Sequence, residues 1–272
     1  MMDDARIAFI GGGNMASAII GGLIRQGLAP AQIAVVEPFA AQRARLQQDF
    51  GVAAEEHAGA SLAACRLVVW AVKPQTFKEA AGQASAHVQQ ALHLSVAAGI
   101  RSDSIAAWLG TERIVRAMPN TPALVGKGMT ALFARGSVTA AEKMQVEQVI
   151  ATTGEFLWVE AEPQLDAVTA LSGSGPAYVF YFLEAMTQAG AEMGLDAQQA
   201  RRLAVGTFAG ASELARASQE PLQVLRERVT SKGGTTYAAL TSMEQDQVKA
   251  AFVKALHAAC RRAEELGDEF GR

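Results

Sequence analysis

Residues 11–16 read GGGNMA, a glycine-rich turn that narrowly limits the folds open to the segments around it. It follows the apolar run 7–10, typical of a buried strand, and precedes a helical pattern over 15–26 that ends at Gly27. In the spacing G-x-G-x-x-A the glycines permit a tight turn and a close approach to a pyrophosphate, and the alanine lets the helix pack on the strand. The turn therefore predicts a dinucleotide-binding unit, with the phosphates at the positive start of the helix.

Strand and helix patterns alternate through the first part of the chain. Further short apolar runs stand at 33–36, 67–70, 92–96, 114–115 and 156–159. They are almost unbroken by polar residues, as expected for strands covered on both faces. We therefore expect an α/β fold with a Rossmann-type, doubly wound parallel sheet. Because only helical patterns follow, we place the domains at 1–163, for the dinucleotide, and 164–272, all helical.

Composition excludes several other classes of protein. The 272 residues include 24 Lys and Arg against 27 Asp and Glu, so no nucleic-acid partner is expected. The longest apolar run, 67–72, is far shorter than the ~20 residues of a membrane helix, and the amino terminus lacks the features of a signal peptide. The four histidines stand apart, so no metal site is predicted. The two cysteines make no disulfide framework, and we expect a cytoplasmic protein.

Glu37 follows the second predicted strand, where the ribose of a dinucleotide should lie. A carboxylate there can accept hydrogen bonds from the ribose diol and would repel a 2′-phosphate, which favours NADH. Arg43 and Arg45, in the next helix, could offset that repulsion or could simply lie on a solvated face. The sequence therefore favours NADH and leaves NADPH open.

Two further segments follow predicted strands at the edge of the sheet where ligands bind in such folds. Residues 71–75, AVKPQ, could line the coenzyme cleft, and Lys73 there is either a coenzyme contact or a solvated loop lysine. In residues 118–122, MPNTP, Asn120 either offers its amide near the nicotinamide or belongs to a rigid turn bracketed by prolines. The residues alone leave both alternatives open.

The helical part carries a second small-residue loop, residues 229–236, which read VTSKGGTT. Free backbone N–H groups at its glycines, with the Ser231 hydroxyl, could bind a small anion such as a carboxylate. The alternative is a helix start capped by these hydroxyl groups. Separately, the small face at Gly206 and Gly210 indicates either a tightly packed core or a subunit contact, and the aromatic residues within 178–182 favour a partner surface in this domain.

Taken together, these segments resemble the pyrroline-5-carboxylate reductase family. The resemblance runs through nearly the whole chain, in the segments 9–16, 71–75, 95–99, 115–122, 172–178 and 230–236. It implies reduction of the cyclic imine 1-pyrroline-5-carboxylate to L-proline with NADPH or NADH. It also implies that the helical domain builds an intertwined homodimer, often assembled into a decamer. A protonated C=N bond is already electrophilic, so this chemistry needs positioning more than acid catalysis.

The resemblance also assigns roles to individual residues. It places the coenzyme-binding residues in two segments: Ile10, Gly11, Gly12, Gly13, Asn14, Met15, Ala16, Ala71, Val72, Lys73 and Pro74. Glu37 and Asn120 join this set because of their positions after predicted strands, as argued above. Residues expected to hold the substrate carboxylate and its imine side are Ser231, Gly234, Thr235 and Thr236. Thr236 is the one catalytic candidate, with its hydroxyl at the imine nitrogen.

Two other functions compete with this interpretation. A β-hydroxyacid dehydrogenase shares the two-domain plan but carries a lysine on the long helix after the boundary, and residues 178–193 contain none. A noncatalytic nucleotide-sensing protein would keep the glycine turn but would not need the loop at 231–236.

Overall fold

The computed structural model of the chain describes residues 6–271. Two compact units are found: the chain up to Ser174 together with Ala259 onward, and Gly175–Ala258. The domain boundary predicted at residues 163 and 164 lies before this division, because Leu165 and Ala170 are buried in the first unit. The end of the chain also returns to that unit, where a side chain at Gly99 would meet Leu266.

The first unit is built on one sheet of eight strands in the order β3-β2-β1-β4-β5-β6-β7-β8. The strands are β1 Arg6–Ile10, β2 Ile33–Val36, β3 Ala54–Glu55, β4 Cys65–Trp70, β5 Leu92–Ser95, β6 Ile114–Met118, β7 Gly128–Ala134 and β8 Gly154–Trp158. Neighbouring strands are parallel except β6 and β7, which are antiparallel. The Rossmann-type prediction is confirmed, with one antiparallel pair that the sequence pattern did not predict.

Helices connect these strands and make up most of the second unit. Those of the first unit are α1 Asn14–Arg25, α2 Ala40–Phe50, α3 Pro74–Ala84, α4 Ser102–Leu109, α5 Ala140–Ile150 and α6 Gln164–Val168. Those that follow are α7 Gly175–Glu192, α8 Ala197–Ala217, α9 Leu222–Arg228, α10 Thr235–Gln245 and α11 Val248–Phe270. In the sequence, Thr139 followed by Glu142 and Asp196 followed by Gln199 predict helix starts with capping boxes, and both are confirmed, at α5 and at α8.

The apolar strands are explained by two buried clusters, one on each face of the sheet. Because successive side chains of a strand point to opposite faces, Ile7 and Phe9 of β1 join one cluster while Ala8 and Ile10 join the other. All four side chains are at most 3% exposed. Burial on both faces fixes β1 at the centre of the unit, and its carboxyl end carries the glycine turn.

The second unit buries far fewer side chains than the first. Its aromatic residues Tyr178 and Phe182 pack edge-on against Phe252, with ring centroids 5.7 and 5.6 Å apart. Large apolar side chains remain exposed along its helices, among them Phe180, Tyr181, Leu203, Leu214, Leu222 and Met243. A side chain at Gly206 or Gly210 would meet nothing within 4 Å, so this small face is not packed within the described chain.

His93 of β5 is a buried ionisable group whose pKa is strongly shifted by its surroundings. It is 1% exposed, and the Trp70 indole N–H donates to its Nδ1 over 3.0 Å. Burial, reinforced by the charge of Arg113, lowers the pKa of His93 from 6.5 to about 4. The imidazole is therefore neutral in the folded protein at neutral pH.

This shift predicts a pH-dependent loss of stability. Between about pH 6.5 and about pH 4 the unfolded chain binds a proton at His93 that the folded chain does not. The free energy of unfolding should therefore fall as the pH is lowered through this window, by up to about 3 kcal/mol from this group. Urea unfolding of the wild type and of His93→Asn, which keeps an acceptor for Trp70, measures the difference. His57→Asn, at an exposed site, is the control, and equal pH slopes in all three proteins would contradict the assignment.

Candidate active site

The glycine turn brings the two predicted coenzyme segments into contact. The Gly11 N–H donates to the Val36 carbonyl, and the Ala71 N–H donates to the Ile10 carbonyl, each over 2.8 Å. Gly11 has φ +94°, and a Cβ there would lie 2.7 Å from the Ala71 carbonyl oxygen. The chain segments that follow β1, β2 and β4 therefore meet at one edge of the sheet. The strand order reverses around β1 at this edge, where ligands bind in open α/β sheets.

The helix that follows the turn begins without a side-chain cap. Its N-cap residue is Gly13, with φ −68° and ψ −168°, and within residues 6–271 no side-chain hydrogen bond caps α1. A Cβ at Gly13 would meet nothing within 4 Å, so the space in front of the helix start is open. The first backbone N–H groups of a helix lack intrahelical acceptors and carry its positive end. This geometry is suited to a phosphate group.

Glu37 lies directly after β2, as predicted, and its carboxylate is already bonded to the backbone. It is 5% exposed, and its Oε2 accepts from the Gly12 N–H over 2.8 Å while Oε1 accepts from the Phe39 N–H over 2.9 Å. Each carboxylate oxygen keeps a further lone pair that can accept from a hydroxyl group. The ribose contact stays a prediction, and the structure adds a second role for Glu37 in holding the glycine turn.

Arg43 is hydrogen-bonded to the same loop. Its guanidinium donates to the carbonyl oxygens of Glu37 and Pro38, over 2.9 and 2.7 Å, and pairs with Glu56 over 2.9 Å. A 2′-phosphate would have to compete with these partners for Arg43. Arg45, by contrast, is exposed on α2, as in the solvated-face alternative.

The other two candidates at this edge have different surroundings. Lys73 is exposed and is the N-cap residue of α3, and Pro74 is the first residue of that helix. Asn120 is bonded within the first unit: its amide donates to the Ser172 carbonyl over 3.3 Å, and its oxygen accepts from the Met129 N–H over 2.9 Å. These contacts support the structural alternative for Asn120, while its predicted coenzyme contact is left as a prediction.

In the second unit, the loop at 229–236 leads into the uncapped start of α10. Gly234 is the N-cap residue of this helix, and no side chain caps it. The Gly234 N–H donates to the Ser231 carbonyl over 3.0 Å, and Gly233 has φ +75°, which closes a tight turn. The hydroxyl groups of Ser231 and Thr236 make no hydrogen bond within the described chain, so the capped-helix alternative loses its support. The arrangement can accept a small anion.

Two polar contacts to the glycine turn were not predicted. Gln42 of α2 donates from its Nε2 to the Gly12 carbonyl over 2.6 Å, and the Ser17 hydroxyl donates to the same oxygen over 3.3 Å. No motif marks Gln42. The one available signal is that it lies four residues before the buried Leu46, which places both on one face of the helix.

The described residues give no indication of two other kinds of site. Within 6–271, no group of three His, Cys, Asp or Glu side chains is arranged to hold a metal ion. No helix in the same range is both long and apolar enough to cross a membrane.

Comparison with known proteins identifies close relatives over the full chain. Residues 162–266 match the family model described as pyrroline-5-carboxylate reductase dimerisation, and residues 6–99 match that of NADP oxidoreductase, coenzyme F420-dependent. The chain is 44% identical to the pyrroline-5-carboxylate reductase of Pseudomonas aeruginosa, with 100% of both chains covered.

Solved structures of pyrroline-5-carboxylate reductases superpose closely on this chain. A pyrroline-5-carboxylate reductase from Coxiella burnetii gives a TM-score of 0.89 at 37% identity, covering 97% of this chain and 98% of that one. The pyrroline carboxylate reductase of Plasmodium falciparum, determined with NADP bound, gives 0.88 at 27% identity, covering 98% and 100%.

An added methyl group should have different effects at the second and third glycines of the turn, because their surroundings differ. A Cβ at Gly12 would lie 2.7 Å from Leu46 Cδ1, so Gly12→Ala should lower the free energy of unfolding by about 1–3 kcal/mol. Gly13→Ala should leave stability unchanged and weaken dinucleotide binding, because the methyl group would occupy the open space in front of α1. Urea unfolding and coenzyme fluorescence titration separate the two effects. Wild-type affinity in Gly13→Ala would contradict the placement of the phosphates.

Proposed function

The chain belongs to the pyrroline-5-carboxylate reductase family and reduces 1-pyrroline-5-carboxylate to L-proline with NAD(P)H, the last step of proline biosynthesis; we propose which of its residues do so. The proposal puts the coenzyme on the glycine turn of the first unit and the substrate carboxylate at the start of α10. The observation that supports it most strongly is that the turn, Glu37 and Ala71 meet at the edge of the sheet where dinucleotides bind.

The coenzyme site is formed by backbone groups more than by side chains. The uncapped N–H groups at the start of α1 face the pyrophosphate, and the carbonyl of Ala71 closes the opposite side of the turn. Glu37 accepts from the ribose of the adenosine half. When bound, the reduced nicotinamide supplies a hydride to the imine carbon. The protein's contribution is to bind each reactant and fix its orientation.

The substrate is held by the loop at 229–236. Its carboxylate lies beside Gly234, against the free N–H group of Thr235 and the Ser231 hydroxyl, and exposed Lys232 adds positive potential. The Gly234 N–H, expected from the sequence to be free, is instead bonded to the Ser231 carbonyl and closes the turn. Thr236 is half-buried beside this anion site, and its hydroxyl contacts the substrate nitrogen. An unperturbed hydroxyl is a poor general acid, so Thr236 orients an imine that is already protonated.

The loop after β2 favours NADH over NADPH in this proposal. The Glu37 carboxylate is fixed by two backbone N–H groups, and a 2′-phosphate on the neighbouring ribose would be repelled by it. The Arg43 guanidinium already has three partners, the Glu56 carboxylate and two backbone carbonyl groups. Accepting NADPH would therefore require Arg43 to change partners.

The helical domain, predicted at 164–272, carries the proposed interface of a homodimer. The match to a dimerisation family model covers most of it, and its helices expose large apolar side chains such as Phe180 and Tyr181, at 57% and 69%. A second copy of the chain would bury this surface, and further assembly to a decamer is part of the proposal. We place the enzyme in the cytoplasm, with no nucleic-acid or membrane partner.

Turnover is the direct test of the function. The purified chain should oxidise NADH or NADPH when 1-pyrroline-5-carboxylate is added, and L-proline should appear in equal amount. Reactions with 2-hydroxy and 3-hydroxy acids, run with the oxidised coenzymes, test the dehydrogenase alternative. A folded protein that turns over neither coenzyme with the cyclic imine would rule out the proposal.

Removing the Thr236 hydroxyl should affect catalysis without affecting coenzyme binding. Thr236→Val keeps the branched shape, and we expect the catalytic efficiency to fall by the equivalent of one lost polar contact, about 1–3 kcal/mol. Thr241→Val is the matched control, because that hydroxyl bonds to the Tyr237 carbonyl within the same helix. Steady-state kinetics with melting temperatures compare the two variants. Wild-type kinetics in Thr236→Val would leave only the backbone anion site as a role for this loop.

A charge on the exposed face of α7 should disrupt the dimer. Phe180→Glu would place a carboxylate in the proposed interface, where burial without a partner is costly. Met144→Glu, at a residue of the first unit that is 56% exposed, is the control. Light scattering should find no monomer in the wild type at micromolar concentration, the same in Met144→Glu, and dissociation in Phe180→Glu. A well-folded wild-type monomer would contradict the proposed assembly.

A further inference from the structure

One residue of the glycine turn, Gly12, is held at both its N–H and its carbonyl by residues distant in sequence. The Gly12 N–H donates to Glu37 Oε2 over 2.8 Å. The Gly12 carbonyl accepts from Gln42 Nε2 over 2.6 Å and from the Ser17 hydroxyl over 3.3 Å. Of the two donors to this carbonyl, Gln42 makes the shorter contact. The turn is thus tied to α2 as well as to the strands beneath it.

Packing fixes the distance between α2 and the turn. A Cβ at Gly12 would lie 2.7 Å from Leu46 Cδ1 and 3.4 Å from the Glu37 side chain, so there is no spare space between them. Leu46 is fully buried and lies one helical turn after Gln42. Because Leu46 sets the depth at which the helix sits, Gln42 reaches the carbonyl without adjustment of the backbone.

The bond to the Gly12 carbonyl has a consequence for the next N–H group. In a trans peptide the C=O of one residue and the N–H of the next point in opposite directions. A donor that holds the Gly12 oxygen toward α2 therefore aims the Gly13 N–H away from α2, into the open space in front of the uncapped start of α1. Hydrogen bonding to the carbonyl also polarises the peptide group and strengthens its N–H as a donor.

We infer that Gln42 is a positioning residue for the coenzyme pyrophosphate, acting through the Gly12–Gly13 peptide. The inference rests on the proposed function in that the ligand is a dinucleotide. Gln42 does not touch the coenzyme; it fixes the direction of one N–H group that does. Without it the carbonyl keeps only the longer bond from Ser17, and the peptide must be reordered each time a coenzyme binds.

Two substitutions at position 42 and matched changes at Gln48, an exposed residue of the same helix, test this role. Gln42→Leu removes the donor at similar volume, and Gln42→Glu places a carboxylate oxygen against the Gly12 carbonyl. We expect the KM for the reduced coenzyme to rise about 5- to 10-fold in Gln42→Leu, as for one lost hydrogen bond, and further in Gln42→Glu. The kcat at saturating coenzyme should stay within about twofold of the wild type. Gln48→Leu and Gln48→Glu should match the wild type in both constants.

Binding of ADP-ribose, which carries the pyrophosphate without the nicotinamide, provides a readout independent of turnover. Calorimetric titration should show the same order of losses, with Gln42→Glu weaker than Gln42→Leu and both weaker than the Gln48 variants, at unchanged melting temperatures. If the wild type bound ADP-ribose but did not reduce 1-pyrroline-5-carboxylate, the proposed function would fail while this inference could still be decided. Wild-type ADP-ribose affinity in Gln42→Leu, or equal losses in Gln48→Leu, would overturn it.

Discussion

The close approach of the glycine turn to the loop after β4 is the contact on which the rest of the arrangement depends. With φ +94° and the Ala71 carbonyl oxygen 2.7 Å from where a Cβ would stand, position 11 has room only for glycine. That approach is possible because β1 and β4 are neighbours whose ends are joined by the hydrogen bond from Ala71 to Ile10. The burial of β1 on both faces holds the turn at the centre of the edge, where α1 can begin with its N–H groups uncapped.

The same turn connects the coenzyme site to the discrimination between coenzymes. Glu37 bonds to Gly12 and Phe39, and Arg43 bonds to the carbonyl of Glu37, so the residues that would meet the adenosine ribose belong to one bonded group. A change at any of them alters the turn as well as the ribose site. The helical unit differs, because many of its large apolar side chains are exposed in the single chain, and in the proposed homodimer a second copy buries them.

Much of the fold could be predicted from the sequence because strands and helix starts have local sequence patterns. Continuous apolar runs predicted the strands around the glycine turn, and the capping boxes at Thr139 and Asp196 predicted two helix starts. β7, Gly128–Ala134, was not predicted, since its pairing antiparallel to β6 and parallel to β8 is decided by its neighbours. β3, of two residues, is too short to show a pattern.

Contacts between distant residues could not be found from the pattern. The bonds of Gln42 to Gly12 and of Asn120 to Ser172 join positions far apart in sequence, and no spacing rule relates them. The return of the last residues of α11 to the first unit could not be predicted either, because the contact of Gly99 with Leu266 depends on where that helix ends in space. Resemblance to a family assigned functional roles to segments, whereas only the structure shows which side chains hold those segments in place.

We propose that the coenzyme binds at the glycine turn of the first unit and the substrate carboxylate at the start of α10 in the second. Hydrogen–deuterium exchange measured by mass spectrometry tests both halves in one protein. Added coenzyme should slow exchange of the backbone amides in residues 10–16 and leave 230–236 unchanged, and L-proline added with the oxidised coenzyme should then slow exchange at 230–236. Coenzyme protection that spares residues 10–16, or no effect of L-proline on 230–236, would contradict the account.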